Sequence, residues 1–289
     1  MNLNLPIYTW GGISHPVKDR PPRLKPQIDA TPFRLPRRSD RLTQLGLLGL
    51  SACAGTDRLA DDTPLILATG EANLSSTIQI NEQLFVDNRL PSPIGFINSV
   101  NNSAAFYLNQ VLGTKGRTLT VSRDECSLEA AFQLAGIWQH EFHTPMLVGT
   151  VDEAPLDPEL HKIRMQYPRE TILGEGSYWF YCGSGQTDTR AIAAIGYCGS
   201  LGGSRAAIDC MQANDISHFI LTESVDSRLL SPEKFPGEQL NLPSPGRFST
   251  QSGYYLAKGL EKLTTGDRLC LINRKRRSCR ISLTIIDRY

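Results

Sequence analysis

The sequence predicts a layered α/β protein, folded as one large unit or as two closely packed halves. Short β-rich runs alternate with apolar helical segments along most of the chain, which is typical of α/β layers. The chain has 289 residues, enough to bury about three quarters of its unfolded surface. No short-period repeat indicates a solenoid or propeller.

The N-terminal part alternates strands and helices after an irregular start. Residues 5–14 are predicted to form a strand and a glycine turn. Residues 15–36 are rich in proline and are predicted to be an extended surface segment. The predicted elements that follow are helix 42–54, strand 64–69, helix 73–85, helix 98–112, strand 118–122, helix 127–139 and strand 145–150.

A polar, proline-containing stretch at 155–172 is predicted to be a linker, which divides the chain into an N-terminal half, 1–154, and a C-terminal half, 155–289. The proline-rich segment 226–247 is predicted to be a loop. The other predicted elements of this half are strands 177–182 and 190–197, helix 206–213, strand 218–221, helix 252–262 and a terminal hairpin of strands 268–273 and 280–286.

The bend Arg-Asp-Glu-Cys at 123–126 is the most informative feature for function. It joins a β-rich run to an apolar helix. A nucleophile on such a bend would be exposed and would lie at the positive end of the helix. The bend is therefore predicted to have the strand–bend–helix arrangement of a thiol enzyme's active site.

This region resembles the N-terminal half of a β-ketoacyl synthase of the thiolase superfamily. The turn 113–116 matches the family's Gly-x-x-Gly, and Ser127 matches the serine of its Thr-Ala-Cys-x-Ser-Gly motif. In ungapped register, Glu125 stands at the catalytic cysteine. Residues 147–154 and 173–177 resemble the family's Gly-Gly-x-Glu loop and Leu-Gly-Asp-Gly-Ala hairpin. The resemblance implies a thiolase-like five-layer α/β/α/β/α fold, trimmed relative to the family's longer chains.

The family's two catalytic histidines are also replaced. Thr222 stands at the first, and Tyr254 stands at the second, in a segment that resembles Ser-x-x-Gly-His. Decarboxylative condensation needs a thiolate and two neutral imidazoles. Threonine and tyrosine donate hydrogen bonds but cannot do the acid–base work of imidazole near neutral pH. No independent condensation is expected.

Loss of the cysteine resembles the chain length factors of type II polyketide synthases, and most of all the short ketosynthase-like subunits of bacterial aryl polyene clusters. This resemblance implies a cytoplasmic, non-catalytic subunit that pairs with an active ketosynthase as a heterodimer or larger assembly. The pair would elongate a polyketide, aryl polyene or fatty-acid-like chain. The chain would arrive on the phosphopantetheine of an acyl carrier protein, with no resident cofactor.

The resemblance also places helix 99–112 along the two-fold interface of a ketosynthase dimer. Phe106, Tyr107 and Gln110 would then line or block the partner's acyl tunnel, and ordinary core packing is the alternative. A basic cluster consists of Arg274, Lys275, Arg276 and Arg277. It would be either a solvated hairpin tip or a dock for an acidic carrier protein.

Two further functions stay open. In a register shifted by one residue, Cys126 would be the nucleophile of an active ketosynthase or acyltransferase, whereas a buried Cys126 would be inert. The second open function is that of a scaffold, which would bind an acyl chain or a protein without shaping the product.

The basic arm 18–41 carries eight basic and three acidic residues. It is either a solvated segment or a contact with a carrier or partner.

Composition argues against other classes of protein. The net charge of +1 makes no case for nucleic-acid binding. Seven scattered cysteines do not form a disulfide framework and fit a reducing cytosol. His140 and His143 are three apart, not the four that a zincin helix requires, so no metal is predicted. No membrane span is predicted, and the lipoprotein-like run 45–53 is interpreted as a helix because it begins too far along the chain.

Overall fold

The computed structural model describes residues 1–18, 20–37, 39–54, 59–142, 144–183, 191–225, 234–275, 278 and 280–289. Its strands are β1 (Asn2–Val17), β2 (Leu65–Thr69), β3 (Thr118–Ser122), β4 (Met146–Asp152), β5 (Leu173–Cys182), β6 (Ala193–Leu201), β7 (His218–Leu221), β8 (Glu238–Gln239), β9 (Arg268–Arg274) and β10 (Ile281–Arg288). Its helices are α1 (Lys25–Asp29), α2 (Arg41–Ala54), α3 (Leu74–Phe85), α4 (Pro93–Ser99), α5 (Ser103–Leu112), α6 (Ser127–Phe142), α7 (Pro158–Met165), α8 (Ser204–Ala213) and α9 (Ser252–Leu260).

The strand order repeats along the chain. The sheet runs β3-β2-β4-β5-β1-β6-β10-β9-β7-β8. The first set of strands is β1 to β5 and the second is β6 to β10. Counted in chain order within the first set, the strands lie in the order third, second, fourth, fifth, first. The second set has the same order when it is followed from the opposite edge of the sheet. The two sets meet where β1 pairs antiparallel with β6, with Leu5 opposite Ile195. The chain thus contains a duplicated topology, and the predicted division at residue 154 stays a prediction.

Three apolar clusters define the layers around this sheet. One cluster joins α2 and α5 to β2, β4 and β5. A second contains α6 and α9 together with strands of both sets, so these two helices lie in the centre of the protein. A third packs α8 on β7, β9 and β10. Helices, strands, helices, strands and helices follow in turn, which confirms the predicted five-layer fold.

Helix α2 shows why the lipoprotein-like run is part of the core. Its leucines, from Leu42 to Leu50, are buried on every side. Gly49 allows the helix to approach β5, because a Cβ there would lie 2.3 Å from the Ser177 hydroxyl. Among the described helices, none combines the length and hydropathy that a membrane span needs.

The predicted glycine turn in the first strand is wrong. β1 continues from Asn2 to Val17 and passes directly through Gly11 and Gly12. A Cβ at Gly11 would lie 2.2 Å from the carbonyl oxygen of Ala52, and one at Gly12 would lie 2.3 Å from the ring of Tyr178. The glycines therefore serve close packing of α2 and β5 and not a change of direction.

Three other predictions needed correction. The single predicted helix 98–112 is two helices, α4 and α5, separated at Val100, which has extended backbone angles. The predicted linker 155–172 contains α7, capped by Asp157, whose carboxylate accepts from the main-chain N–H of Leu160 at 2.9 Å. In the predicted loop 226–247, residues 226–233 lie outside the described residues, and β8 pairs with β7.

Candidate functional site

The bend between β3 and α6 is held by hydrogen bonds of its own. The main-chain N–H of Arg123 donates to the Ser127 hydroxyl at 2.8 Å, and this hydroxyl lies 2.9 Å from the carbonyl oxygen of Thr69 at the end of β2. Asp124 has a φ of 51°, in the left-handed region that few non-glycine residues adopt. The strained position of the bend is therefore Asp124, one residue before Glu125.

Asn273 at the end of β9 joins the bend to the second strand set. Its amide nitrogen donates to the carbonyl oxygen of Glu125 at 2.6 Å and to the carboxylate of Glu129 at 2.7 Å. Its amide oxygen accepts from the hydroxyls of Thr222, at 2.8 Å, and of Ser224. The structure thus brings two of the three altered catalytic positions, Glu125 and Thr222, around a residue to which sequence reasoning gave no role.

Glu129 is the titratable group at the centre of this cluster. It is 4% exposed, and its second carboxylate oxygen has no hydrogen-bond partner among the described residues. Burial raises the pKa of Glu129 to about 7, because the charged form loses hydration, and the hydrogen bond from Asn273 offsets only part of that loss. Near neutral pH the side chain is consequently neutral in a large fraction of molecules.

Cys126 is buried and poorly suited to act as a nucleophile. Its sulfur lies 3.4 Å from the hydroxyl of Ser282. Burial, and then the charge of Glu129, raises the pKa of the Cys126 thiol to about 12. The nucleophile of thiol enzymes is the thiolate. At neutral pH this cysteine is a protonated thiol, which favours the inert interpretation.

Tyr254, the third altered position, makes its contacts elsewhere. Its hydroxyl donates to the carbonyl oxygen of Pro243 at 2.8 Å. Its ring packs edge-on against the rings of Tyr178 and Tyr255, with centroids 5.7 and 5.2 Å away. None of its described contacts is with Asn273. The structure therefore gives Tyr254 a packing environment and does not place it in the polar cluster.

The basic cluster at 274–277 is only partly described. Arg276 and Arg277 lie outside the described residues. The ammonium of Lys275 lies 2.8 Å from the carboxylate of Asp124, and this hydrogen bond raises the pKa of Lys275. Arg274 donates to the carbonyl oxygen of Ser278 at 2.6 Å. Both described cations of the cluster are thus bonded within the chain, and Lys275 lies beside the strained residue of the bend.

The three predicted tunnel residues lie on the outer side of α5. Phe106 is 60% exposed and packs edge-on against Tyr107, with ring centroids 5.6 Å apart. Tyr107 and Gln110 line an open groove of about 690 Å³, whose other wall is the arm segment 32–37. Phe106 is therefore a surface residue and not part of the core.

Exposed apolar side chains continue from α5 onto the elements packed next to it. Helix α3 packs against α4, α4 against α5, and α5 against β3, which is an edge strand of the described sheet. Helix α3 has no buried residue. The exposed apolar side chains of α3, α4, α5 and the segments that join them, which together with the edge strand β3 form the β3 surface, are Leu84, Phe85, Val86, Leu90, Phe96, Ile97, Val100 and Phe106. On β3 itself Leu119 is also exposed, on the face of the strand turned toward α6.

No group of histidine, cysteine, aspartate and glutamate side chains in the described part of the chain is arranged to hold a metal ion. His143 lies outside that part. The buried carboxylate of Asp152 has a structural role, because it accepts from the main-chain N–H groups of Gly70, at 2.9 Å, and Thr250, at 2.7 Å. It thereby links the end of β2 to the start of α9.

Comparisons with known proteins identify the architecture. No protein-family profile and no curated relative match the sequence. Among solved structures, the ishigamide ketosynthase/chain length factor matches with a TM-score of 0.78 and 15% identity over 99% of both chains. The PfaC keto synthase–chain length factor matches with a TM-score of 0.69 and 14% identity, over 100% of this chain and 43% of that one.

A third match is the ketosynthase ApeO in complex with its chain length factor ApeC from Xenorhabdus doucetiae, with a TM-score of 0.59 and 17% identity over 99% of this chain and 100% of that one. Such low identities establish the fold and not the activity. The chain therefore has the thiolase-like fold of ketosynthases and chain length factors.

Proposed function

We propose that this chain is a non-catalytic, chain-length-factor-like subunit that pairs with an active β-ketoacyl synthase and helps to shape its acyl tunnel. The observation that carries the proposal is a ketosynthase fold that combines a bend lacking an accessible nucleophile with an exposed apolar surface beside it. Ketosynthase and chain length factor occur together in the descriptions of three matching structures.

The chemistry of the bend argues against independent condensation. Asp124 and Glu125 carry carboxyl groups, and a carboxylate would repel an incoming carboxylate substrate. Cys126 is held as a buried thiol beside Ser282. Thr222 donates to Asn273 and cannot replace imidazole in proton transfer. A partner subunit would have to supply the thiolate and both histidines.

The β3 surface is suited to a protein partner. Contiguous exposed apolar surface is rare on monomers and usually marks an interaction site. An edge strand offers unpaired N–H and C=O groups to another chain. β3 pairs only with β2 in the described sheet, and Leu119 on it is 41% exposed. Pairing there would cover both the apolar side chains and the open edge, and would bring Phe106 to the partner's tunnel.

The acyl chain would reach the complex on the phosphopantetheine of an acidic carrier protein. The arm offers a better dock than the cluster at 274–277, where Lys275 is paired with Asp124. Arg34 and Arg37 are exposed, line the groove beside α5, and make no ion pair among the described residues. One matching structure is described as a type II acyl carrier protein in complex with its ketosynthase.

The proposed setting is type II polyketide, aryl polyene or fatty-acid-like elongation in a reducing cytosol. All six described cysteines are free thiols, in keeping with that compartment. The alternatives, an enzyme that uses Cys126 and a scaffold without influence on the product, predict different outcomes of one experiment.

That experiment is co-expression with the ketosynthase encoded beside this chain, followed by co-purification and a condensation assay. We expect a stable heteromer whose activity requires the partner's cysteine and tolerates Cys126→Ala. Leu119→Lys should abolish co-purification, whereas Leu160→Lys, a matched change at an exposed leucine on α7, should not. A chain that purifies alone and becomes acylated at Cys126 would make it an enzyme in its own right.

A further inference from the structure

A cavity of about 370 Å³ lies between the start of α2, helices α3 and α4, and the loop that follows β4. Its volume falls in the range of small-molecule sites, about 300–1,000 Å³. It lies apart from the Asn273 cluster and shares no lining residue with it. The polar side chains that line it are Ser39, Asp40, Arg41, Ser75, Ser76, Gln79, Gln83, Asn98 and Glu153.

The charges around this cavity leave an excess of carboxylate. Arg41 is the one cation among its described lining residues, and it donates to the buried Glu175 at 2.7 Å and to the carbonyl oxygen of Pro22 at 2.9 Å. Arg41 is thus paired with a carboxylate outside the cavity, although its charge still acts on Glu153. Asp40 and Glu153 line the same cavity, so its lining carries two carboxyl groups and one arginine already bound to Glu175.

The two carboxyl groups are fixed in place by the backbone. One oxygen of Asp40 accepts from the main-chain N–H of Thr43 at 2.8 Å, which caps α2. One oxygen of Glu153 accepts from the main-chain N–H of Ser75 at 3.2 Å, at the start of α3. Burial raises the pKa of Glu153 to about 7, and the charge of Asp40 adds to this effect. A positive charge in the cavity would oppose both causes.

We propose that this cavity binds a small organic cation, a short aliphatic diamine that places one ammonium group in the cavity and keeps the other in solvent. Glu153 and Asp40 receive the ammonium group, and the amide oxygens of Gln79 and Gln83 accept from its remaining hydrogens. Ile80 and Leu156, which also line the cavity, contact the methylene stem. An anion is disfavoured because it would meet two carboxylates and an arginine already bound to Glu175. The site does not depend on the proposed partner.

The test is isothermal titration of the purified full chain with cadaverine, with the neutral 1,5-pentanediol and the anionic glutarate as matched probes. We expect saturable binding of cadaverine alone. Because its raised pKa leaves part of Glu153 protonated at pH 7, cadaverine binding should release a fraction of a proton, seen by repeating the titration in buffers of different ionisation enthalpy. Glu153→Gln should abolish the release and weaken binding by about tenfold or more.

Glu159→Gln is the matched control, since Glu159 is an exposed carboxylate on α7 that does not line the cavity. It should leave affinity and proton release unchanged. Gln79→Leu, which keeps both carboxyl groups, should also weaken binding. Equal binding of cadaverine and pentanediol, or binding that Glu153→Gln leaves intact in a folded variant, would overturn the proposal. A failure of partner pairing would leave these results untouched.

Discussion

Asn273 donates an amide hydrogen to the main-chain carbonyl of Glu125 at 2.6 Å, across 148 positions of the chain. The same nitrogen binds the buried carboxyl of Glu129, and the amide oxygen accepts from Thr222. One side chain therefore couples the bend of the first strand set to β7 and β9 of the second. The geometry at the altered catalytic position depends on this contact between the two sets.

We expect Asn273→Ala to destabilise the protein by about 2–4 kcal/mol, because it leaves several buried polar groups without a hydrogen-bond partner at once. Urea unfolding followed by circular dichroism measures the loss. Asn101→Ala, at an exposed position, should change the free energy of unfolding by less than about 0.5 kcal/mol. Equal effects of the two substitutions would show that the Asn273 contacts carry no net stability.

Glu129 should make stability fall as the pH rises. Its pKa is raised from 4.5 to about 7 in the folded state, so the folded protein binds more protons than the unfolded chain between these values. Stability is therefore greatest below about pH 4.5, declines through this window and is lowest above about pH 7, for a contribution on the order of 3 kcal/mol. Unfolding free energies measured from pH 5 to 8 test the slope.

The variant Glu129→Gln should flatten that slope and stabilise the protein most at pH 8, because the amide carries no charge to bury. Glu153, with its pKa also near 7, should leave a residual slope in the same direction. Glu82→Gln, at an exposed carboxylate on α3, should reproduce the slope of the unmodified chain. A slope unchanged by Glu129→Gln would contradict the assignment.

Local sequence patterns were enough to predict most strands and helices, whereas their five-layer arrangement was predicted from the resemblance to ketosynthases. The segments that became α2, β2 and α6 are largely apolar, so their pattern could be interpreted without tertiary context. The turn predicted at Gly11 and Gly12 failed because the same residues also serve close packing against α2 and β5. Helix α7 was missed although Asp157-Pro158 is a helix-start signal, since the stretch is polar.

The site was harder to predict because its contacts depend on tertiary packing. Glu125 and Thr222 were identified from a resemblance, but their link through Asn273 exists only after the two strand sets pack together. The left-handed backbone of Asp124 also leaves no clear sign in the sequence. The sequence predicted Lys275 to be either a solvated charge or part of a carrier-protein dock, because its partner Asp124 is about 150 residues away along the chain.

Cys126 should resist alkylation in the folded protein. Its thiol is buried with its pKa raised to about 12, so the thiolate that iodoacetamide requires is scarce and inaccessible. Peptide mapping by mass spectrometry after treatment at pH 7.5 should find Cys126 unmodified, and modified once the chain is denatured. The half-buried Cys210 serves as internal comparison and should react earlier. Rapid native labelling of Cys126 would revive the nucleophile hypothesis.

The arm should contribute to carrier binding through Arg34 and Arg37. Arg34→Glu with Arg37→Glu should weaken association of the ketosynthase complex with its carrier protein by about tenfold or more at low ionic strength. Lys262→Glu, at an exposed cation near the end of α9, is the matched control and should have little effect. Surface plasmon resonance at two salt concentrations measures both. Equal losses from arm and control would argue for a non-specific charge effect.

Phe106 should control product length without contributing to the fold. Because the side chain is 60% exposed, Phe106→Ala should change the free energy of unfolding by less than about 0.5 kcal/mol. In the complex, however, a smaller side chain at the partner's tunnel should permit longer products, seen by mass spectrometry of carrier-bound chains. Phe85→Ala, at an exposed phenylalanine on α3, separates gating from general loss of apolar surface. If both variants left product length unchanged while the complex stayed intact, the chain would act as a scaffold and not as a determinant of length.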